Sequence, residues 1–87
     1  MEIPEDLLRR YVSRRGDDVI NCLRFIEHEN FEQLEKLGHK FKGSALTFGF
    51  QDLSSIGREL ESAAQEKNQE RCLKAVISFR SWLKNHH

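Results

Sequence analysis

Leu53, Ile56, Leu60 and Ala64 stand three and four residues apart, and the same interval recurs among the apolar residues along most of the chain. It is the period of an α-helix with one face turned inward. The strict alternation that would mark a half-buried strand is absent. One proline and five glycines among 87 residues leave little to interrupt such helices, and Leu, Glu, Lys, Arg and Gln dominate the rest. The fold class that follows is all-α, and the length allows one modest core.

Turn and cap signals divide the pattern into five predicted helices. Pro4 suits a first helical turn, and Glu5 and Asp6 complement the dipole there. Leu7, Leu8, Tyr11 and Val12 give a short N-terminal helix, with Gly16 as its expected break. A second helix spans about Asp17 to Glu29, with Val19, Ile20, Leu23 and Ile26 at helical spacing. Asn30 is an N-cap for a third, Phe31 to Phe48, which Gly49-Phe50 closes with the composition of a Schellman stop. Asp52 is the expected cap of a fourth helix reaching about Lys67. Asn68 then caps a fifth, carrying Leu73, Val76, Phe79 and Leu83. Links of two to four residues make successive helices antiparallel. The expected architecture is an up-down antiparallel four-helix bundle, with the short N-terminal helix as a lid, in one domain over residues 1–87. His86 and His87, native or the stub of an affinity tag, are set aside.

The third helix contains two glycines, each costing about 1 kcal/mol relative to alanine in a helix interior. With roughly 100° per residue, Leu34, Leu37, Ala45 and Phe48 fall within roughly 40° of Phe41 and form the buried stripe. His39 points roughly 160° away from it, with Gly43 at a similar angle on the other side. His39 therefore faces solvent midway along a rigid helix. The simplest reading is an ordinary surface histidine. Three neighbours argue otherwise: Gly43 leaves the ring unshielded, Lys42 brings a positive charge one turn on, and Leu46 leaves an apolar residue facing water. Gly38 lies nearer the stripe, where close backbone packing between helices is the better reading.

The segment "HKFKGSALTFG" resembles the phosphoacceptor motif of histidine-containing phosphotransfer (HPt) domains of two-component phosphorelays. Histidine, lysine three residues on, glycine four on, a small residue five on and glycine ten on are here His39, Lys42, Gly43, Ser44 and Gly49. The downstream "LSSIGRELE" is similar to the next helix of the family, and "TFGF" to phosphotransfer domains of chemotaxis-type kinases. The resemblance implies that His39 accepts a phosphoryl group on Nε2 and that Lys42 balances phosphate charge. It also implies docking of a response-regulator receiver domain, for which Gly43, Leu46, Glu35, Lys36 and Lys40 are the candidate residues. A sensor histidine kinase, of hybrid type, is the expected upstream partner. The receiver would supply the aspartate and the Mg ion, so no cofactor is expected on this chain, which would be a phosphoryl carrier and not an enzyme. An imidazole, largely unprotonated near neutral pH, needs little activation for that role.

Other classes fit less well. Fourteen basic residues balance fourteen acidic ones, without the excess of a nucleic-acid binder. No apolar run approaches the ~20 residues of a membrane span, and Met1-Glu2-Ile3-Pro4 does not resemble a signal peptide. No glycine-rich nucleotide loop is present. His28-Glu29 lacks a second histidine at i+4, and Cys22 and Cys72 have no ligand spacing, so no metal site is expected. The two cysteines read as small apolar residues in a reducing cytoplasm, and the chain as a cytoplasmic monomer. A helical interaction module without phosphoryl chemistry is the main alternative. A phosphotransfer domain from a larger chemotaxis-type or hybrid kinase is another.

Overall fold

The computed structural model describes residues 2–86; Met1 and His87, the latter one of the two terminal histidines set aside above, lie outside the described residues. Four helices follow one another: α1 (Glu5–Glu27), α2 (Phe31–Thr47), α3 (Gln51–Gln65) and α4 (Gln69–His86). Each helix packs on its two neighbours in a ring, α1 on α2, α2 on α3, α3 on α4 and α4 on α1. Facing residues run in opposite order along each neighbouring pair: Tyr11 meets Phe48 and Ser44, Ser54 meets Lys42, and Arg71 meets Glu59. The bundle is therefore up-down and antiparallel. Phe41 and Phe79 meet across its diagonal, ring centroids 4.6 Å apart, among Leu34, Leu53, Leu60, Val76, Cys22 and Cys72.

The short N-terminal helix is not observed. Residues 5 to 27 form one helix of 23 residues, and the expected lid is the first half of a bundle member. Gly16 does not break it, because an interior glycine costs only about 1 kcal/mol. Tyr11, Val12, Val19, Cys22 and Ile26 bury one continuous face on both sides of that residue. The Arg15–Asp18 ion pair at 2.8 Å also spans it. Asp52 is not the cap of α3 either. Phe50 occupies the N-cap, and Asp52 sits in the first turn, where its Oδ1 accepts from the Leu53 N–H at 2.8 Å. The ends expected at Phe48 and Lys67 fall at Thr47 and Gln65.

All three links have three residues and one hydrogen-bond pattern. Asn30, Phe50 and Asn68 donate their N–H groups to the carbonyls of Phe25, Ala45 and Ala63, while Glu29, Gly49 and Lys67 donate to Ile26, Leu46 and Ala64. These are Schellman closures, with the residue before each N-cap in the left-handed region. Asn30 and Asn68 then cap α2 and α4 as expected, accepting from Gln33 at 3.3 Å and Arg71 at 3.0 Å. Arg71 also bridges Glu59 and Glu66, tying α4 to the end of α3.

The closest approach is between α2 and α3, where Gly38 and Gly57 bring backbone against backbone. A Cβ on Gly57 would lie 2.9 Å from the Gly38 carbonyl oxygen and from Lys42 N and Cα. One on Gly38 would lie 2.9 Å from Glu61 N. Gly57→Ala should therefore destabilise the fold by about 1–3 kcal/mol through overpacking. Gly16→Ala, with nothing within 4 Å of its added Cβ, should instead gain up to about 1 kcal/mol. Urea unfolding of the two variants should move in opposite directions.

Candidate functional site

His39 sits at the middle of α2 with its side chain 70% exposed. Its orientation follows from Leu34, Gly38, Phe41 and Ala45, which turn the opposite side of the helix into the core. The ring is not free of the protein, however. His39 Nδ1 lies 2.7 Å from Oε2 of Glu61 on α3, and Lys42 Nζ lies 2.7 Å from the other oxygen, Oε1. One carboxylate thus ties the histidine and the lysine together across the helix interface. Glu61 is mostly covered, its side chain 15% exposed, and Lys42 is intermediate at 29%.

An ionised carboxylate has only acceptor oxygens, so the short contact requires the proton to be on His39 Nδ1. In the neutral ring, Nε2 then carries the lone pair. The hydrogen bond from Lys42 holds the Glu61 carboxyl below the usual carboxylate range, partial burial opposes it, and the bond with His39 adds to the lowering. Glu61 therefore remains the charged partner the geometry requires.

The other motif residues surround this group in different ways. Gly43 is exposed, and a Cβ there would meet nothing within 4 Å, so the surface beside the ring is bare backbone. Ser44 turns inward; its hydroxyl donates to the Phe41 carbonyl at 3.3 Å and accepts from Tyr11 Oη at 2.7 Å. That bond, with Tyr11 stacked on Phe48 at 4.2 Å, fixes α2 against α1. Gly49, at φ 84°, closes the helix. Gly38 is buried against α3, which is the close packing read from its angle.

The candidate docking residues fall on two flanks. Leu46 is exposed two turns from His39, and Glu35 accepts from Gln65 of α3 at 3.3 Å. Lys36 and Lys40 lie on the side toward α1, where they line a depression with Asp18, Asn21 and Phe25. Lys36 pairs with Glu32 at 3.4 Å. Lys40 acts on Asp18, whose carboxyl is raised by burial against the pull of Arg15 and Lys40. His28 is the C-cap of α1 and belongs to neither flank. Cys22 and Cys72 are buried free thiols in the core, and burial pushes Cys22 up to about 12.

Glu61 was not singled out in the sequence. Its partners lie 22 and 19 positions away, and only the register of α3 on α2 joins them. Gly57, one turn before it, is the residue that could have given that register, as a second glycine able to meet Gly38.

His39 is thus an exposed ring tied to a mostly covered carboxylate, an arrangement compatible with the class of site that meets a partner protein. A family model agrees with that class: the Hpt domain matches residues 6–85, nearly the whole chain. The chain belongs to the Hpt domain family. Neither the curated proteins nor the solved structures yield a match to it. Hpt domains are phosphoryl carriers in phosphorelays and not classical enzymes, and they interact with receiver domains. Among the described residues no helix is long and apolar enough to cross a membrane.

A carboxyl lowered in the folded state stabilises the fold above its unfolded pKa, and that contribution is lost as pH falls through the lower, folded value. Stability should accordingly drop over the acidic side of the carboxylate range, and the drop should shrink in Glu61→Gln. In the same variant the 15N shifts of His39 should move from the Nδ1–H form toward a tautomer mixture. Unchanged shifts would show that Glu61 does not orient the ring.

Proposed function

We propose that this Hpt domain accepts a phosphoryl group on Nε2 of His39 from a receiver aspartate, or from a kinase, and passes it to a receiver domain. The observation that supports the reading best is the Glu61 carboxylate on Nδ1, which in the neutral ring puts the proton there and the lone pair on Nε2. The Nε2 lone pair forms the N–P bond while the bond from phosphorus to the aspartyl oxygen breaks. The aspartate leaves as a carboxylate with the bonding pair. No proton has to move, because Nδ1 keeps its hydrogen and Glu61 balances the positive charge that develops on the ring. The return transfer runs the same step backwards.

Phosphoryl transfer depends chiefly on positioning and on stabilising the charge spread over the phosphoryl oxygens. Lys42 donates one hydrogen bond to Glu61 and has two further N–H groups to offer those oxygens. The receiver, in this reading, brings the Mg ion and the aspartate, and this chain needs no cofactor. Gly43 lets the receiver's loops lie against bare helix. Leu46, Glu35, Lys36 and Lys40 surround that contact, and the reaction belongs in the cytoplasm.

Incubation with a phosphorylated receiver should give an acid-labile, alkali-stable phosphoprotein, and His39→Gln should abolish it without loss of helix content. Label persisting on His28 would overturn the assignment. Lys42→Ala should slow transfer. It should also cost more stability than the ~0–1 kcal/mol of an exposed pair, because it strips a partner from a mostly covered carboxylate. Gly43→Ala should transfer normally, whereas Gly43→Glu and Gly43→Trp should fold and fail to transfer. Normal transfer by the bulky variants would remove Gly43 from the docking surface.

A further inference from the structure

On the side of the ring away from α2 and α3, four large apolar side chains face water. Ile20 and Leu23 of α1 are 58% and 43% exposed, and Leu73 and Ile77 of α4 are 41% and 58% exposed. Three of them, Ile20, Leu23 and Leu73, were expected in the buried stripes; Cys22 and Cys72 occupy the core positions beside them. The four lie together. The other flank of α1 carries Asp18, Asn21 and Phe25 toward α2, which puts Leu23 on the flank toward α4. Arg71 marks the flank of α4 that faces α3, which puts Leu73 and Ile77 on the flank toward α1. Gln69 donates to the Ile26 carbonyl at one end, and His86 shares a depression with Arg9 and Val12 at the other. That register sets Leu23 level with Leu73 and Ile20 close to Ile77.

The charges around this patch are self-complementary. Asp17, Arg24 and Arg80 are exposed and have no ion-pair partner among the described residues; Glu70 has only a long contact, 3.7 Å, with Lys74. The midpoint of Asp17 and Arg24 falls at Ile20 and Asn21. The midpoint of Glu70 and Arg80 falls at Ala75, which the register places level with Ile20. A single two-fold axis across the helices at that level therefore brings Asp17 over Arg24, and Glu70 over Arg80, of a second copy. The apolar patch is centred on the same axis. From this coincidence we propose that the chain forms an antiparallel two-fold dimer through the outer face of α1 and α4, in place of the monomer expected from sequence. Such a contact is isologous and closes on itself. The face is no larger than the 37 × 19 Å profile of the bundle, at most about the ~800 Å² per partner of a standard interface, so the dimer is weak and concentration-dependent. It leaves both His39 rings exposed, and it does not rest on the phosphotransfer reading.

Sedimentation velocity over a dilution series tests it. The wild-type chain should move from monomer to dimer below about 1 mM. Ile77→Glu should remain monomeric with unchanged helix content, and should still accept phosphoryl groups. Arg80→Glu and Glu70→Lys should each weaken self-association by at least about tenfold, and an equimolar mixture of the two should recover a dimer. A wild-type chain that stays monomeric overturns the proposal and leaves the face for a different protein. A dimer unaffected by Ile77→Glu, or charge variants that do not complement each other, also overturns it.

Discussion

The contact of Gly38 with Gly57 sets the geometry on which the rest of the site depends. With no Cβ on either side, α2 and α3 approach until the backbone of one lies against the backbone of the other. That approach carries Glu61 to the edge of α2, within 2.7 Å of both His39 and Lys42. It also lets the buried Ser54 hydroxyl donate to the Lys42 carbonyl at 2.9 Å. A wider crossing would move Glu61 away from Nδ1, and the ring would lose the partner that fixes its tautomer. The two glycines of α2 differ in what they admit: Gly38 admits α3, and Gly43, on the far side of the same helix, leaves bare backbone at the surface.

The two glycines of α2 carry the same helix penalty and have opposite surroundings. Gly38 is fully packed, so a side chain there must displace a neighbouring backbone. A Cβ added to Gly43 would meet nothing within 4 Å. No packing interaction within the described fold accounts for the second.

Much of this was legible in the sequence. The period of the apolar residues located the helical segments, Asn30 and Asn68 marked two of the caps, and the angle between Phe41 and His39 put the ring outside. What failed, failed where a local signal met a tertiary one. Gly16 reads as a break because its penalty is local, but the burial that overrides it is distributed along 23 residues. Asp52 is a good capping residue, yet the Schellman closure after Gly49 already places Phe50 at the N-cap, leaving Asp52 inside the first turn. Ile20, Leu23 and Leu73 satisfy the helical period without reaching the core, since periodicity gives a face and not its width. Glu61 was invisible for a different reason: pairing between helices depends on register, and register here is set by a glycine contact that no single-helix pattern contains.

On the proposed reading, the site needs no cleft. An enzyme that completes a reaction alone must gather the substrate, the acid–base groups and the charge stabilisers, and it encloses them to exclude water. In the proposed transfer the enclosing surface comes from the receiver, so enclosure on this side would only obstruct it. What this chain must hold is orientation. The imidazole has to keep one nitrogen protonated, present the other at a fixed height above the helix and keep a counter-charge beneath. A helix braced along its length supplies the height, and a carboxylate from the neighbouring helix supplies the other two. Because Glu61 is mostly covered while His39 is exposed, in the proposed transfer the charged anchor stays in the protein as the ring meets the partner. The division of labour in the proposed transfer therefore corresponds to the difference in burial between two side chains in contact.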